Sequence, residues 1–446
     1  MYSVNAASNL YSSKWKEVYK EKLTSAEMIA KHVKSDDVCA STCIVGEPYA
    51  IINAILDRIE KENLSGITHH LLLSGRDHRF WQEKFKGLFE HVSYFCSPLA
   101  RKAIKNGLAD QVHTYYSDEG YLWQKYLKAD IFYATVSPMD KHGYFSFGPC
   151  VGGARGQMSR AEKIFIEVNP NQPRVHGESN IHITEVDALC ECDVPLPELK
   201  VAPIDERART MSEYILELIP NASTIQLGIG AVPSAVAQGL KSKTDLNIHS
   251  EMFTDSMIDL IECGAVTNLT KPIHVGKSIS TFSFGTRRTY DFLDDNPGVE
   301  FYPVGYTNDV NVISKHKNMI SINAFIEADL HGQVCAESVG PCMISGTGGQ
   351  VDFVRGANKS DGGKAILTTY STAETKNGTV SSIKPMLTEG AVVTTNKNDV
   401  DYIVTEYGVA QLKGKTMRQR ARSLIAIAHP DFRDDLICHA KKMLLL

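Results

Sequence analysis

The segment from Ser223 to Glu262, STIQLGIGAVPSAVAQGLKSKTDLNIHSEMFTDSMIDLIE, holds the residues best suited to chemistry. The apolar run TIQL leads into Gly228, Ile229 and Gly230, a helical pattern continues from Ala235 to Leu240, and the run DLNIHS then delivers Glu251. A glycine turn between strand and helix exposes backbone N–H groups at the helix start, where an anion is favoured. A second turn, SGTGGQVDFVR from Ser345 to Arg355, stacks Gly346, Gly348 and Gly349 and offers another set of donors. A carboxylate near two donor turns suits acyl transfer, because attack on a thioester creates an oxyanion that N–H groups must hold. Glu251, with a reference pKa of about 4.3, is expected to be ionised at neutral pH and to act as a nucleophile without a base.

Other readings of the same residues stay open at this point. Strand, Gly-x-Gly and helix also resemble a dinucleotide fingerprint, with Glu251 near the place of the ribose-binding acid. Pro233 stands where the fingerprint's third glycine belongs, and it has no N–H and a fixed φ, which puts close helix–strand packing in doubt. A lone Gly-x-Gly is weak support for a nicotinamide site. Taken singly, Glu251 is also readable as a strand-end glutamate in a surface salt bridge, and the glycines as ordinary tight turns.

The elements that must position these groups alternate along the chain. Ile131 to Val136, Lys163 to Val168, Thr224 to Leu227, Met319 to Phe325 and Asp401 to Thr405 read as buried strands between helical patterns, which predicts an α/β fold with largely parallel sheets. Between Asp193 and Glu206, VPLPELKVAPID carries three prolines and reads as a crossover. The expected organisation is therefore two tandem open α/β domains, residues 1–199 and 200–446. Each half has an apolar strand ending in Asp-x-His-Gly, Asp140 to Gly143 and Asp329 to Gly332. Duplication of one unit and the common turn preference of Asp and Gly explain this equally well.

Composition narrows the partners. The chain has 446 residues, 43% hydrophobic and 22% charged, with a formal net charge of -5, so neither a nucleic acid nor a membrane surface is expected as a general partner. Ten cysteines are scattered, and Cys190 and Cys192 lack a second pair at zinc-ligand spacing, so no metal is expected and the thiols read as reduced and mostly buried. The first twenty residues show no basic segment followed by an apolar core, and no apolar run approaches the ~18 residues of a membrane helix, which together predict a cytoplasmic protein.

The ordered segments VSPMDKHGYFSFG (Val136 to Gly148), IEVN (Ile166 to Asn169), QLGIGAVPSAV (Gln226 to Val236), IHSEMFTD (Ile248 to Asp255), GTRRTYDF (Gly285 to Phe292), YTND (Tyr306 to Asp309), SGTGGQVDFVRGA (Ser345 to Ala357), IVTEYGVAQLKGK (Ile403 to Lys415) and IAHPDFRDDL (Ile427 to Leu436) span nearly the whole chain. Together they resemble the class I CoA transferases of the acetyl-CoA hydrolase/transferase group, with the strongest likeness to its 4-hydroxybutyrate and butyrate:acetate members. The resemblance implies tandem domains of the CoA-transferase type and makes Glu251 the nucleophile. It implies that Gly228, Ile229, Gly230, Ala231 and Val232 form the CoA-binding turn, with the Ile229 N–H a candidate oxyanion donor and Gly349 its counterpart across the site. It also implies CoA contacts at Ile326 and Lys376, and an orienting amide at Asn308. No tightly bound cofactor is implied; coenzyme A and acyl-CoA are substrates, short-chain carboxylates are partners, and a homodimer or homotetramer is expected.

That family assignment implies transfer of CoA between butyryl- or 4-hydroxybutyryl-CoA and acetate, by a ping-pong route through a glutamyl-CoA thioester. Acyl-CoA hydrolysis on the same residues is the alternative, since water exclusion depends on pocket shape. A CoA-binding regulator would have no use for Glu251. Among the neighbours, His249 is expected to pack as a neutral core histidine, Arg287 and Arg288 to form a solvated helix end, and Tyr402 and Tyr407 to lie in the core.

Overall fold

The computed structural model describes residues 14–199, 203–376 and 378–446. Two compact units divide the chain: residues 1–114, 118–199 and 280–306 form one, and residues 115–117, 200–279 and 307–446 the other. The expected division between 199 and 200 borders residues 200–202, which lie outside the described residues.

In the first unit the strands β1 (Val38–Ser41), β2 (Ile67–Leu71), β3 (Phe89–Ser93), β4 (Ala109–Gln111), β5 (Ile131–Val136), β6 (Lys163–Val168) and β7 (Ala188–Glu191) form one sheet. Their order is β7-β6-β5-β1-β2-β3-β4 and every pairing is parallel. Strand β5 is buried throughout because both faces of the sheet are covered. Its alternate residues go to opposite sides: Ile131 and Tyr133 join Phe165 and Ile55 in one cluster, whereas Phe132, Ala134 and Val136 join Ile166 and Phe145 in another. Helix α1 (Tyr49–Glu62) buries Ile51, Ile52, Ile55, Leu56 and Ile59 against the first of these clusters. Its free N-terminal donors are met by a buried carboxylate, since Ala50 N and Ile51 N donate to Glu167 Oε2 at 2.7 and 3.1 Å.

The second unit is built on β8 (Thr224–Leu227), β9 (Asn247–Ile248), β10 (Met319–Ala324), β11 (Lys364–Thr368), β12 (Tyr402–Thr405) and β13 (Gly408–Gln411), in the order β9-β8-β10-β11-β12-β13. The first five are parallel, and β13 returns antiparallel along β12. After β8 the chain first goes out to β9 on one side and then to β10 on the other. The order therefore reverses between β8 and β10, and the carboxyl ends of those strands flank a crevice of the kind where α/β sheets take ligands.

The two Asp-x-His-Gly turns close in the same way. Asp140 Oδ1 accepts from His142 N and Tyr144 N at 2.8 and 2.9 Å, and Asp329 Oδ1 accepts from His331 N and Gln333 N at 3.0 and 2.9 Å. Gly143 and Gly332 take φ of 87° and 84°, which a side chain would strain. The cysteines are thiols and most are buried. Among the described residues no helix is long and apolar enough to cross a membrane.

Candidate active site

The glycine turn lies at the switch point of the second sheet. Gly228 N donates to Ile322 O of β10 at 3.0 Å, which ties the carboxyl ends of β8 and β10 together. Gly230 then adopts φ 120° and ψ -176° as the N-cap of helix α2 (Ala231–Leu240), a conformation reserved in practice for glycine. Ile229, between the two glycines, is an exposed apolar side chain at 53%. Pro233 is buried in the first turn of α2 and leaves the helix intact, because N–H groups there have no intrahelical acceptor. The doubt that proline raised about packing is thus removed.

Glu251 comes three residues after the end of β9. His249 N donates to Ile225 O at 3.3 Å and Ser250 N to Ile279 O at 3.0 Å, so the backbone is held on two sides up to the residue before the carboxylate. Asn308 stands before Asp309, whose side chain accepts from Asn311 N and Val312 N and so starts the helix Val310–Ser314. Gly349 is the N-cap of helix α3 (Gln350–Lys359). These three elements converge on one carboxylate: Asn308 Nδ2 donates to Glu251 Oε2 at 2.7 Å, and the Gly349 N–H donates to Glu251 as well. A side chain on Gly349 would collide with Glu251 Oε2 and Asn308 Nδ2, so the close approach is what requires glycine here.

Burial raises the Glu251 pKa to about 7; the Asp352 charge pushes the same way, against the opposing pull of the Asn308 and Gly349 hydrogen bonds. The residue as a whole is half-buried, which tempers the cost of its charge. The expectation of a fully ionised carboxylate at neutral pH is corrected here. Composition gave no sign of the enclosure, which favours the neutral form of the carboxyl.

His249 is fully buried. Its Nε2 lies 2.7 Å from Thr307 O, and since a carbonyl only accepts, the proton is on Nε2. Burial and the neighbouring His316, 4.6 Å away ring to ring, hold the pKa well below the usual histidine range, so the ring is neutral. It fixes the backbone just before Asn308. Arg287 and Arg288 are exposed at a helix start, with Arg287 Nε paired to Asp291 at 2.7 Å. Tyr402 and Tyr407 depart from the core reading. Tyr402 is half-buried and Tyr407 is exposed at the turn after β12, its ring edge-on to His429. The side chain between them in the turn, Glu406, is used in structure, accepting from Ser371 N and Oγ at 2.9 and 2.8 Å.

The residues named from sequence thus fall into two groups. Glu251, Asn308 and Gly349 are in mutual contact. Ile229 is exposed in its glycine turn, the Ile326 N–H is taken by Cys335 O at 2.9 Å, and Lys376 is exposed between the hairpin strands Thr372–Thr375 and Gly378–Ser381. Asp352 went unnoticed. It lies within the SGTGGQVDFVR run and supplies a second carboxylate, its Oδ2 3.3 Å from Asn308 Nδ2.

The chain is similar to known proteins over most of its length. Residues 8–199 match the acetyl-CoA hydrolase/transferase N-terminal domain and residues 285–440 the C-terminal domain of the same family. The chain is 44% identical to the succinyl-CoA:cyclohexane-1-carboxylate CoA transferase of Geobacter metallireducens, over 99% of both chains. It is 43% identical to the 4-hydroxybutyrate coenzyme A transferase of Clostridium kluyveri, over 96% of this chain and 99% of that one. The crystal structure of RipA from Yersinia pestis superposes with a TM-score of 0.91 at 36% identity, covering 97% of this chain and 100% of that one.

Proposed function

The chain belongs to the acetyl-CoA hydrolase/transferase family and is a CoA transferase, and from that premise we propose that it exchanges CoA between butyryl- or 4-hydroxybutyryl-CoA and acetate through a thioester on Glu251. The observation that carries the reading is the enclosure of Glu251 by Asn308 and Gly349. The Asn308 amide donates to Oε2, and we assign the attack to Oε1.

Attack of Oε1 on the thioester carbon breaks the C–S bond and gives an acyl-glutamyl anhydride and CoA thiolate. The thiolate then attacks the glutamyl Cδ. The electron pair of that carbonyl moves onto Oε2, which the Asn308 amide meets as donor, while the Gly349 N–H donates to the same carboxylate. Collapse expels the acid with the former Oε1 and leaves CoA on Glu251. An incoming acetate reverses both steps and leaves one of its own oxygens in the glutamate. Thiolate is a good leaving group and the anhydride a reactive donor, so positioning and oxyanion donors supply the acceleration in place of a general base.

Gly228 to Val232, Ile326, Gly349 and Lys376 are the proposed contacts to CoA, with the Ile229 N–H as donor to the acyl oxygen. Remote binding energy from the nucleotide end holds the acyl carbon against Glu251. Discrimination by one methylene amounts to only ~1–3 kcal/mol in an apolar pocket, so several short acids are expected to serve.

Hydrolysis is the second reading, favoured by the part of Glu251 that water reaches. The test is a transfer assay with acetyl-CoA and a panel of two- to six-carbon acids, with free CoA counted in parallel. Varying both substrates should give parallel double-reciprocal lines, and incubation with acyl-CoA followed by borohydride should leave a reduced residue on the Glu251 peptide. Intersecting lines would sink the covalent scheme, and free CoA formed faster than product ester would establish the hydrolase.

A further inference from the structure

We propose that Asp352 is a positioning residue for CoA transfer, acting on Glu251 through the amide of Asn308, and that residues Tyr115–Ser117 are the strap that holds it. This rests on Glu251 as the reacting carboxylate and adds a group that the family resemblance had not marked.

The amide of Asn308 is symmetric in shape and opposite in character at its two ends. It is fully buried, its Nδ2 lies between Glu251 Oε2 at 2.7 Å and Asp352 Oδ2 at 3.3 Å, and its Oδ1 has no partner among the described residues. With Glu251 alone beside it, a protonated glutamic acid would accept either end of the amide. A second carboxylate removes that freedom, because the flipped amide would present its oxygen to two carboxylates at once. Asp352 thereby keeps an N–H, and never a carbonyl oxygen, against Oε2 throughout the cycle, including the stage at which Oε2 is an uncharged carbonyl and offers little electrostatic guidance of its own.

Asp352 can do this only if it is itself fixed, and it is. It is 4% exposed in the first turn of α3, where the helix N-terminus favours an anion. Its Oδ1 accepts from Ser117 Oγ at 2.9 Å and its Oδ2 from Ser117 N at 3.1 Å. The residue before, Tyr116, donates its N–H to Gly348 O at 3.0 Å, and the one before that, Tyr115, has Arg355 over its ring at 5.5 Å. Three consecutive residues are thus each joined to α3 or to the glycine turn that precedes it.

The experiment is a double-mutant cycle on kcat with D352N and N308A, in the full-length enzyme with acyl-CoA and acetate. D352N keeps the size of the side chain and should lower kcat about 10- to 100-fold, the cost of a small misplacement at a reacting group, while KM for acyl-CoA stays within about twofold. In the N308A background D352N should add almost nothing, because the group it acts through is gone. S117T, which keeps the hydroxyl, should retain activity that S117A loses in part. Full additivity in the cycle, an unchanged kcat in D352N, or a rise in KM alone would overturn the proposal. The glutamyl adduct trapped in wild-type enzyme judges the reaction scheme separately: its absence would refute the thioester on Glu251, and the cycle would still decide whether Asp352 acts through Asn308.

Discussion

Gly349 presses against Glu251 so closely that the carboxylate occupies the place of the missing Cβ. The backbone there, φ -94° and ψ 10°, lies at negative φ in a region open to residues with a side chain, so the requirement for glycine is spatial and not conformational. G349A is therefore expected to leave α3 folded and to displace Glu251 and Asn308. Transfer should fall by at least about 100-fold, with the melting temperature little changed. A G349A enzyme of near wild-type kcat would show that the carboxylate has room elsewhere.

The raised pKa of Glu251 sets the pH dependence of the first half-reaction. Only the ionised form attacks, and its population grows as pH rises through about 7. Single-turnover formation of the glutamyl adduct should climb from pH 5.5 to about 7.5 and level off above. A rate already flat from pH 5.5 would mean an ordinary, solvated carboxylate.

How far the sequence carried this depends on what each signal encodes. Strands such as Ile131–Val136 and Thr224–Leu227 were legible because a strand covered on both faces must be apolar at every position. Glu251, Asn308 and Gly349 were legible through ordered segments, each local in the chain. Ser117 was not, since its link to Asp352 spans 235 positions and a lone serine in YYSD carries no pattern. The ionisation of Glu251 was misjudged for a related reason: its pKa depends on packing around it, which a residue type alone does not report. Tyr407 was expected in the core as part of a strand-to-turn segment, whereas the tight β12–β13 turn puts it outside.

The nicotinamide reading and the CoA reading differ in what stabilises the native fold. Pro233 fits the first turn of α2, so the proline no longer argues against a dinucleotide on its own; the ligand must decide. CoA or an acyl-CoA should raise the melting temperature, and NAD should not, because only a ligand of the native state stabilises it. A clear shift with NAD and none with CoA would reverse the assignment.

The last prediction concerns stability, and the sign follows from the same carboxylate. Glu251 has a folded-state pKa of about 7 against 4.5 for the free group, so between those values the folded chain keeps a proton that the unfolded chain has released. Stability must then fall as pH rises through that window, and the full penalty persists above about 7. The shift corresponds to at most about 3 kcal/mol, reduced because the residue as a whole is half-buried. E251Q removes the titration while its amide oxygen can still accept from Asn308 and Gly349. It should therefore match wild type in melting temperature near pH 5 and exceed it by a few degrees, roughly 2–6 °C, near pH 8. Thermal unfolding of both proteins across pH 5 to 8 measures this directly. A difference that stays constant with pH, or one that favours wild type at pH 8, would show that the folded protein does not hold Glu251 away from its ordinary ionisation, and the pH dependence expected of the first half-reaction would lose its cause.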